Sequence, residues 1–231
     1  MKRGFIFGAI FILLVVVAIL VTVFIFKDDE VLTDAVRFKE EYEELNGKKT
    51  DDGDAYLELN IDEDNKVQYV NTEEVLEILE DGTGIIYFGF PECPWCRNLV
   101  PVLLQVAEDN NYENIYYSDC YDERDTRHLD EEGNVVTDQE GSDNYYKILD
   151  ALHDYLSPYE GLEDDNYKRL YFPAVVFVKE GAVVAFHEGT VESQEDPYIP
   201  LNEEQESELE TILTDGLNKI QDNMCYSDGK C

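Results

Sequence analysis

The chain has 231 residues, and 53 Asp and Glu against 17 Lys and Arg give it a formal net charge of −36 at pH 7. That surplus repels nucleic acid and anionic lipid headgroups and argues against both as partners; it suits solubility in an extracellular or cell-wall setting. Five cysteines in a chain that opens with an export-type segment fit an oxidising compartment.

Met1-Lys2-Arg3 precedes residues 4–26, an apolar run without a charged side chain, and Lys27-Asp28-Asp29-Glu30 follows it. At about 1.5 Å per residue the run spans roughly 34 Å, enough to cross a bilayer. The positive-inside rule places the N-terminus in the cytoplasm and the remaining chain, about 200 residues and one enlarged domain, outside. A cleaved signal peptide would carry a shorter apolar region ending in a small-x-small site. Residues 21–26 offer none, so the expectation is an uncleaved single-pass anchor in the cell membrane.

Beyond the anchor, Ala35, Val36, Phe38, Tyr42 and Leu45 recur at helical spacing, which predicts a juxtamembrane helix over 34–45. Residues 47–54 read as a loop and 56–61 alternate like a strand. The acidic stretch 62–65 lacks the glycine and distal glutamate of a calcium loop and reads as a solvated turn. A short strand is predicted over 67–70. Asn71 with Glu74 forms a capping-box start for a helix carrying Val75, Leu76, Ile78 and Leu79, and Asp81-Gly82 ends it. Residues 84–90 are apolar throughout, as in a central strand buried on both faces. Leu99, Val100, Leu103, Leu104, Val106 and Ala107 mark the buried stripe of the next helix, with Pro101 expected to kink it.

A strand follows over 115–118. Residues 120–170 break the rhythm: 130–134 form a turn cluster, and Tyr145 to Leu156 recur at helical spacing with Pro158 as a stop. This stretch is expected to be an inserted helical subdomain. Residues 174–178 and 182–187 predict a hairpin turning at Lys179-Glu180-Gly181, and 203–220 a closing helix. The order βαβα, insertion, ββα implies an α/β class with a mixed sheet and helices on both faces. Four regions are expected: an anchor at 1–26, a juxtamembrane segment at 27–66, a domain at 67–222 with its insertion at 120–170, and a cysteine-containing tail at 223–231.

Cys93-Pro94-Trp95-Cys96 stands immediately after the apolar 84–90 run and opens the amphipathic helix. There the first cysteine sits at a helix N-terminus, where unpaired N–H groups and the dipole favour a thiolate, and the second lies one turn inward. In this context a C-x-x-C motif reads as redox-active. Zinc would need two further ligands, and Cys120, Cys225, Cys231, His128, His153 and His187 offer no paired spacing, so no metal is expected. The three histidines are scattered and read as non-catalytic. Cys120 follows an apolar run and reads as a small buried residue. Asp228-Gly229 between Cys225 and Cys231 suits a small local disulfide loop, structural or in exchange with the active pair or capping a metal.

The strand leading into Cys93-Pro94-Trp95-Cys96, the Phe172-Pro173-Ala174 opening of an apolar strand, and the glycines Gly181 and Gly189 together resemble the thioredoxin superfamily. The resemblance covers residues 67–119 and 170–221. The overall layout is similar to extracytoplasmic thioredoxin-like proteins of Gram-positive bacteria, including bacteriocin transport accessory proteins. The resemblance implies a thioredoxin-like fold with an inserted helical segment and an N-terminal transmembrane helix. Cys93 would be the attacking thiolate and Cys96 the resolving thiol. Pro173 would be a cis proline, with the Phe172 backbone positioned to pair with an extended client and Trp95 an exposed aromatic touching it. No cofactor is implied.

Two departures bear on redox direction. The position six before Cys93, an aspartate in reducing relatives, is Tyr87 here. Glu92 precedes the motif and would raise the Cys93 pKa, with Arg97 able to offset it. An intermediate potential is therefore expected. The function expected is a membrane-tethered thiol–disulfide oxidoreductase acting on thiol- or disulfide-containing exported proteins, reset by a membrane electron-transfer partner. The alternative is a non-catalytic accessory module for a secreted peptide or a transporter, which the large insertion favours. A thiol peroxidase is weaker, because no threonine- or arginine-assisted peroxide site stands beside Cys93.

Overall fold

The computed structural model describes residues 32–221, so the apolar 4–26 run and the Cys225–Cys231 tail lie outside it. Among the described residues no helix is long and apolar enough to cross a membrane. Helix α1 (Asp34–Glu43) turns Phe38 and Tyr42, one turn apart, into the interior. Strand β1 (Val67–Tyr69) leads to α2 (Thr72–Asp81), which starts on the expected capping box. The Asn71 side chain accepts from the N–H groups of Glu73 and Glu74 at 2.9 and 3.0 Å, and the Asn71 N–H donates to the Glu74 carboxylate at 2.8 Å. Strand β2 (Gly84–Phe88) is buried at every position. Helix α3 (Pro94–Asp109) runs through Pro101, and β3 (Ile115–Ser118) follows. After the insertion come β6 (Ala174–Lys179), β7 (Ala182–Glu188) and the closing helix α5 (Glu203–Gln221).

The central sheet has the order β1-β3-β2-β6-β7. β1, β3 and β2 run parallel; β6 is antiparallel to β2, and β7 to β6. Alternation along the strands divides the core. Ile85 and Tyr87 of β2, with Val175 and Phe177 of β6, face α1, α3 and α5. Ile86 and Phe88, with Val176 and Val178, face α2 and the insertion. This is a mixed α/β fold with helices on both faces of its sheet, compatible with a thioredoxin-like arrangement. The β6–β7 turn has positive φ at both Glu180 (49°) and Gly181 (76°), the backbone of a type I′ hairpin. A Cβ on Gly181 would lie 2.1 Å from the Glu80 carbonyl oxygen, so glycine is demanded there twice over.

Three expectations need correction. Residues 56–61 form no strand; only the isolated bridge Lys49↔Ala55 pairs nearby. Side chains take the backbone groups that a neighbouring strand would have taken. Asn46 donates to the Leu59 carbonyl at 2.7 Å and accepts from its N–H at 2.9 Å, while Glu43 accepts from the Ile61 N–H and Lys39 donates to its carbonyl, each at 2.7 Å. With Leu59 and Ile61 beside Phe38 and Tyr42 in the core, this stretch, set apart from the domain as juxtamembrane, shares the domain's larger core. The insertion is not purely helical either. It contains a 3-10 turn (Tyr121–Glu123), a separate hairpin of β4 (Thr126–Leu129) and β5 (Val135–Gln139), and helix α4 (Asp143–Ala151). The 130–134 turn cluster thus joins two strands, with the Asp130 carboxylate accepting from the N–H groups of Glu132 and Asn134. Lastly, α4 ends at Ala151 with Leu152 as its C-cap, well before Pro158. Leu152 and Leu156 still reach the second core, through turns rather than a continued helix.

Arg97 is the largest fully buried side chain, at 0 % exposure. Its guanidinium donates to the carbonyls of Leu57 and Tyr42 (2.8 Å each) and Pro91 (3.3 Å), and to the Asn46 side chain (3.0 Å). Hydrogen bonds from a charged donor are worth about 1.5–3 kcal/mol each, and a lost partner leaves buried carbonyls unpaired. Arg97→Met should therefore lower stability by about 3 kcal/mol, read as a reduced urea midpoint at unchanged slope. A loss below about 0.5 kcal/mol would mean that α1 and the 46–57 stretch are held by apolar packing alone.

Candidate active site

Strand β2 ends at Phe88, and the chain turns through Gly89 into Cys93, the N-cap of α3. A Cβ at Gly89 would lie 2.3 Å from the Tyr87 hydroxyl oxygen, so the glycine leaves room for that hydroxyl beneath the turn. The Cys93 sulfur accepts from the Cys96 N–H at 3.2 Å, satisfying one of the free amides of the first turn. Pro94 at the first helical position costs nothing, because its missing N–H has no partner there. Both cysteines are free thiols. Cys93 is the outer of the two but is itself covered, at 5 % exposure against 0 % for Cys96.

The two thiols are driven apart electrostatically. The Cys96 thiol, as hydrogen-bond neighbour, holds Cys93 below the ordinary cysteine range. The N–H groups of Cys96 and Trp95 and the charge of Arg124 act in the same direction, against burial. Cys96 is pushed well above that range, first by burial and then by Cys93 itself. Beneath it, the Tyr87 hydroxyl acts on Cys96 as a hydrogen-bond neighbour and meets the Tyr42 hydroxyl at 2.8 Å, with both rings fully buried. Burial holds both phenols neutral. Two neutral hydroxyls, one of them from α1, thus lie beneath Cys96.

The Phe172–Pro173 peptide is cis, and the Phe172 carbonyl oxygen lies 3.8 Å from the Cys93 sulfur. Gly189, at φ +80°, donates its N–H to the Pro173 carbonyl at 2.8 Å and fixes this segment to the end of β7. The Phe172 ring meets Phe90 edge-on at 5.8 Å, and Phe90 meets Tyr121 at 4.6 Å. Trp95, expected exposed, is half-buried. Cys93, Cys96, Phe172 and Pro173 therefore lie together in one place. Cys120 lies in the second core, its thiol pushed up to about 12 by burial, an unreactive site.

The charges around the motif differ from those expected. Glu92 is exposed, and Arg97 points away from Cys93 into the carbonyls of Tyr42 and Leu57. The cation that acts on Cys93 is Arg124, from the insertion. His128 pairs with Asp138 and His153 with Asp154 at the surface of the insertion, and His187 lies on β7. Sequence reasoning missed Arg124 and Tyr42. Arg124 sits in no local pattern; Tyr42 is signalled only as an apolar position of α1.

In the reduced chain Cys93 should alkylate with a pH midpoint below the ~8.5 of an ordinary cysteine, because its thiolate persists to lower pH. Cys96 and Cys120 should stay unmodified over the same range while the chain is folded. Iodoacetamide labelling resolved by residue in the mass spectrometer measures this, and a Cys93 midpoint above 8.5 would contradict the electrostatics described. In comparisons with known proteins, no family model matches the chain, and no curated protein matches it.

Proposed function

We propose that the chain is a thioredoxin-like thiol–disulfide oxidoreductase, tethered to the cell membrane by residues 4–26 and acting outside it on exported proteins. The observation that carries the reading is the unequal pair: Cys93, capping α3 beside the Phe172 carbonyl, with its pKa lowered, and Cys96, buried one turn inward, with its pKa raised. A merely structural pair has no need of that inequality.

In the reducing direction the Cys93 thiolate attacks one sulfur of a client disulfide. The client S–S bond breaks, a Cys93–client disulfide forms, and the first client sulfur leaves as a thiolate that takes a proton from water. Cys96 then loses its proton and attacks the Cys93 sulfur. The Cys93–Cys96 disulfide forms, the second client sulfur leaves, and two electrons have passed to the client. The reverse sequence installs a disulfide. A membrane electron-transfer partner would reset the pair. Neutral Tyr87 in place of a carboxylate supports an intermediate potential. Phe172 and Pro173 would align an extended client strand over Cys93, with Trp95 at its edge.

The insertion supports a second reading, an accessory module that holds a secreted peptide or a transporter subunit, since it brings Tyr121 and Arg124 to the motif. Trapping separates the two. Cys96→Ser should accumulate disulfide-linked adducts of exported proteins through Cys93, released by dithiothreitol on non-reducing gels, and Cys93→Ser should accumulate none. Absence of adducts in Cys96→Ser, with client binding retained in both variants, would leave the accessory reading.

A further inference from the structure

We propose that Arg124, delivered by the insertion, is a positioning residue that holds the Cys93 sulfur as a thiolate. It deepens the oxidoreductase reading, on which it rests for the role of Cys93.

The Arg124 guanidinium is held from both its backbone and its faces. Arg124 caps the 3-10 turn, with its N–H directed to the Tyr121 carbonyl at 3.4 Å and its own carbonyl accepting from the Gln139 side chain at 3.2 Å. The insertion's hairpin thus pins its backbone. The guanidinium carbon lies 4.4 Å from the Tyr121 ring centroid and 4.5 Å from that of Phe172, within cation–π range of both. Phe172 is also the residue whose carbonyl meets the Cys93 sulfur. The platform for the cation and the wall of the sulfur site are the same residue.

What the guanidinium lacks is equally informative. In a chain with 53 carboxylates, no described carboxylate lies within salt-bridge distance of Arg124. Arg37 pairs with Glu41, and Arg127 with Asp125. The Arg124 Nε, moreover, is buried without a hydrogen-bond partner among the described residues. A buried donor on a charged group is unfavourable when it is left unpaired. A thiolate at Cys93 offers the missing anion through space, and its charge lowers the cost of keeping Arg124 unpaired.

The other groups that favour the Cys93 thiolate do so by hydrogen bonding, and none of them carries a positive charge. From α3 come the Cys96 thiol and two backbone N–H groups; from the Phe172 segment comes a carbonyl; from the 89–92 turn comes exposed Glu92, of the wrong sign. Tyr87 beneath is held neutral, and Asp122 and Glu123 adjoin Arg124 in the turn. Arg124 is the one positive charge acting on the sulfur among them, and the lowered Cys93 pKa includes its contribution.

The test is the pH midpoint of Cys93 alkylation in the full reduced chain, with Arg124→Gln, Arg124→Lys and, as a control, Glu92→Gln. Arg124→Gln should raise the midpoint by about 0.3 pH unit, a roughly twofold loss of thiolate below it, at an unchanged thermal melt. Arg124→Lys should restore most of that shift, and Glu92→Gln should leave the midpoint nearly in place. Raising NaCl from about 0.05 M to about 1 M should move the unsubstituted chain upward too, by screening the charge. An unchanged midpoint in Arg124→Gln overturns the assignment, as does an unchanged midpoint on salt addition if that variant does not fold. A shifted midpoint in a chain that traps no client leaves Arg124 standing and removes the oxidoreductase reading; trapped clients with an unshifted midpoint do the reverse.

Discussion

The buried guanidinium of Arg97 is the constraint on which the rest of the site depends. It begins one residue after Cys96 and, instead of reaching for a carboxylate, it gathers the carbonyls of Tyr42, Leu57 and Pro91 and the amide of Asn46. Burial pushes its pKa down, yet a guanidinium stays charged at any ordinary pH, so the cost of desolvation must be offset by these hydrogen bonds. The result is a clamp between the first turn of α3 and a stretch of chain that has almost no ladder hydrogen bonds of its own. It holds the Tyr42 carbonyl, at the end of α1 from which the Tyr42 hydroxyl reaches that of Tyr87. One arginine thus ties down the α1 end of a hydroxyl pair whose members come from two distant parts of the chain.

The dithiol is asymmetric for the same reason that it is ordered. Cys93 occupies an N-cap, where amide N–H groups converge, and Cys96 is fully buried one turn inward, next to the Cys93 thiol and the Tyr87 hydroxyl. A charge is tolerated at the first position and opposed at the second. That separation of proton affinities is what the proposed exchange requires: an attacking sulfur ionised first and a resolving sulfur that stays protonated until a mixed disulfide changes its surroundings. The two faces of the sheet divide the work. α1, α3 and α5 pack on one side. The insertion, packed on the other, brings Arg124 and Tyr121 to the rim beside Phe172.

Much of the scaffold was legible in the sequence where local chemistry decides the conformation. Asn71 with Glu74 marks a helix start whatever lies around it, Glu180-Gly181 a hairpin turn, and the unbroken apolar run at 84–88 a central strand. Cys93 and Cys96 were legible as a pair because their spacing and context are local. Residues 56–61 were misread because alternation registers burial and not pairing: Leu59 and Ile61 do face the core, but Asn46, Glu43 and Lys39 take the backbone groups. The insertion's apolar spacing past residue 151 likewise reported burial and not helix. Charge roles were the least legible. Arg97 looked available to Cys93 by adjacency and is spent elsewhere; Arg124 is remote in sequence and arrives only through the folded insertion.

The central claim is that Cys93 and Cys96 form a reversible redox couple. Its most direct test is to equilibrate the full chain against glutathione mixtures, quench with acid, and measure the oxidised fraction of this pair by mass spectrometry. A single two-electron transition between about −270 and −120 mV is expected, toward the middle of that interval. A pair that stays fully reduced or fully oxidised across every mixture, with no transition at all, would contradict it.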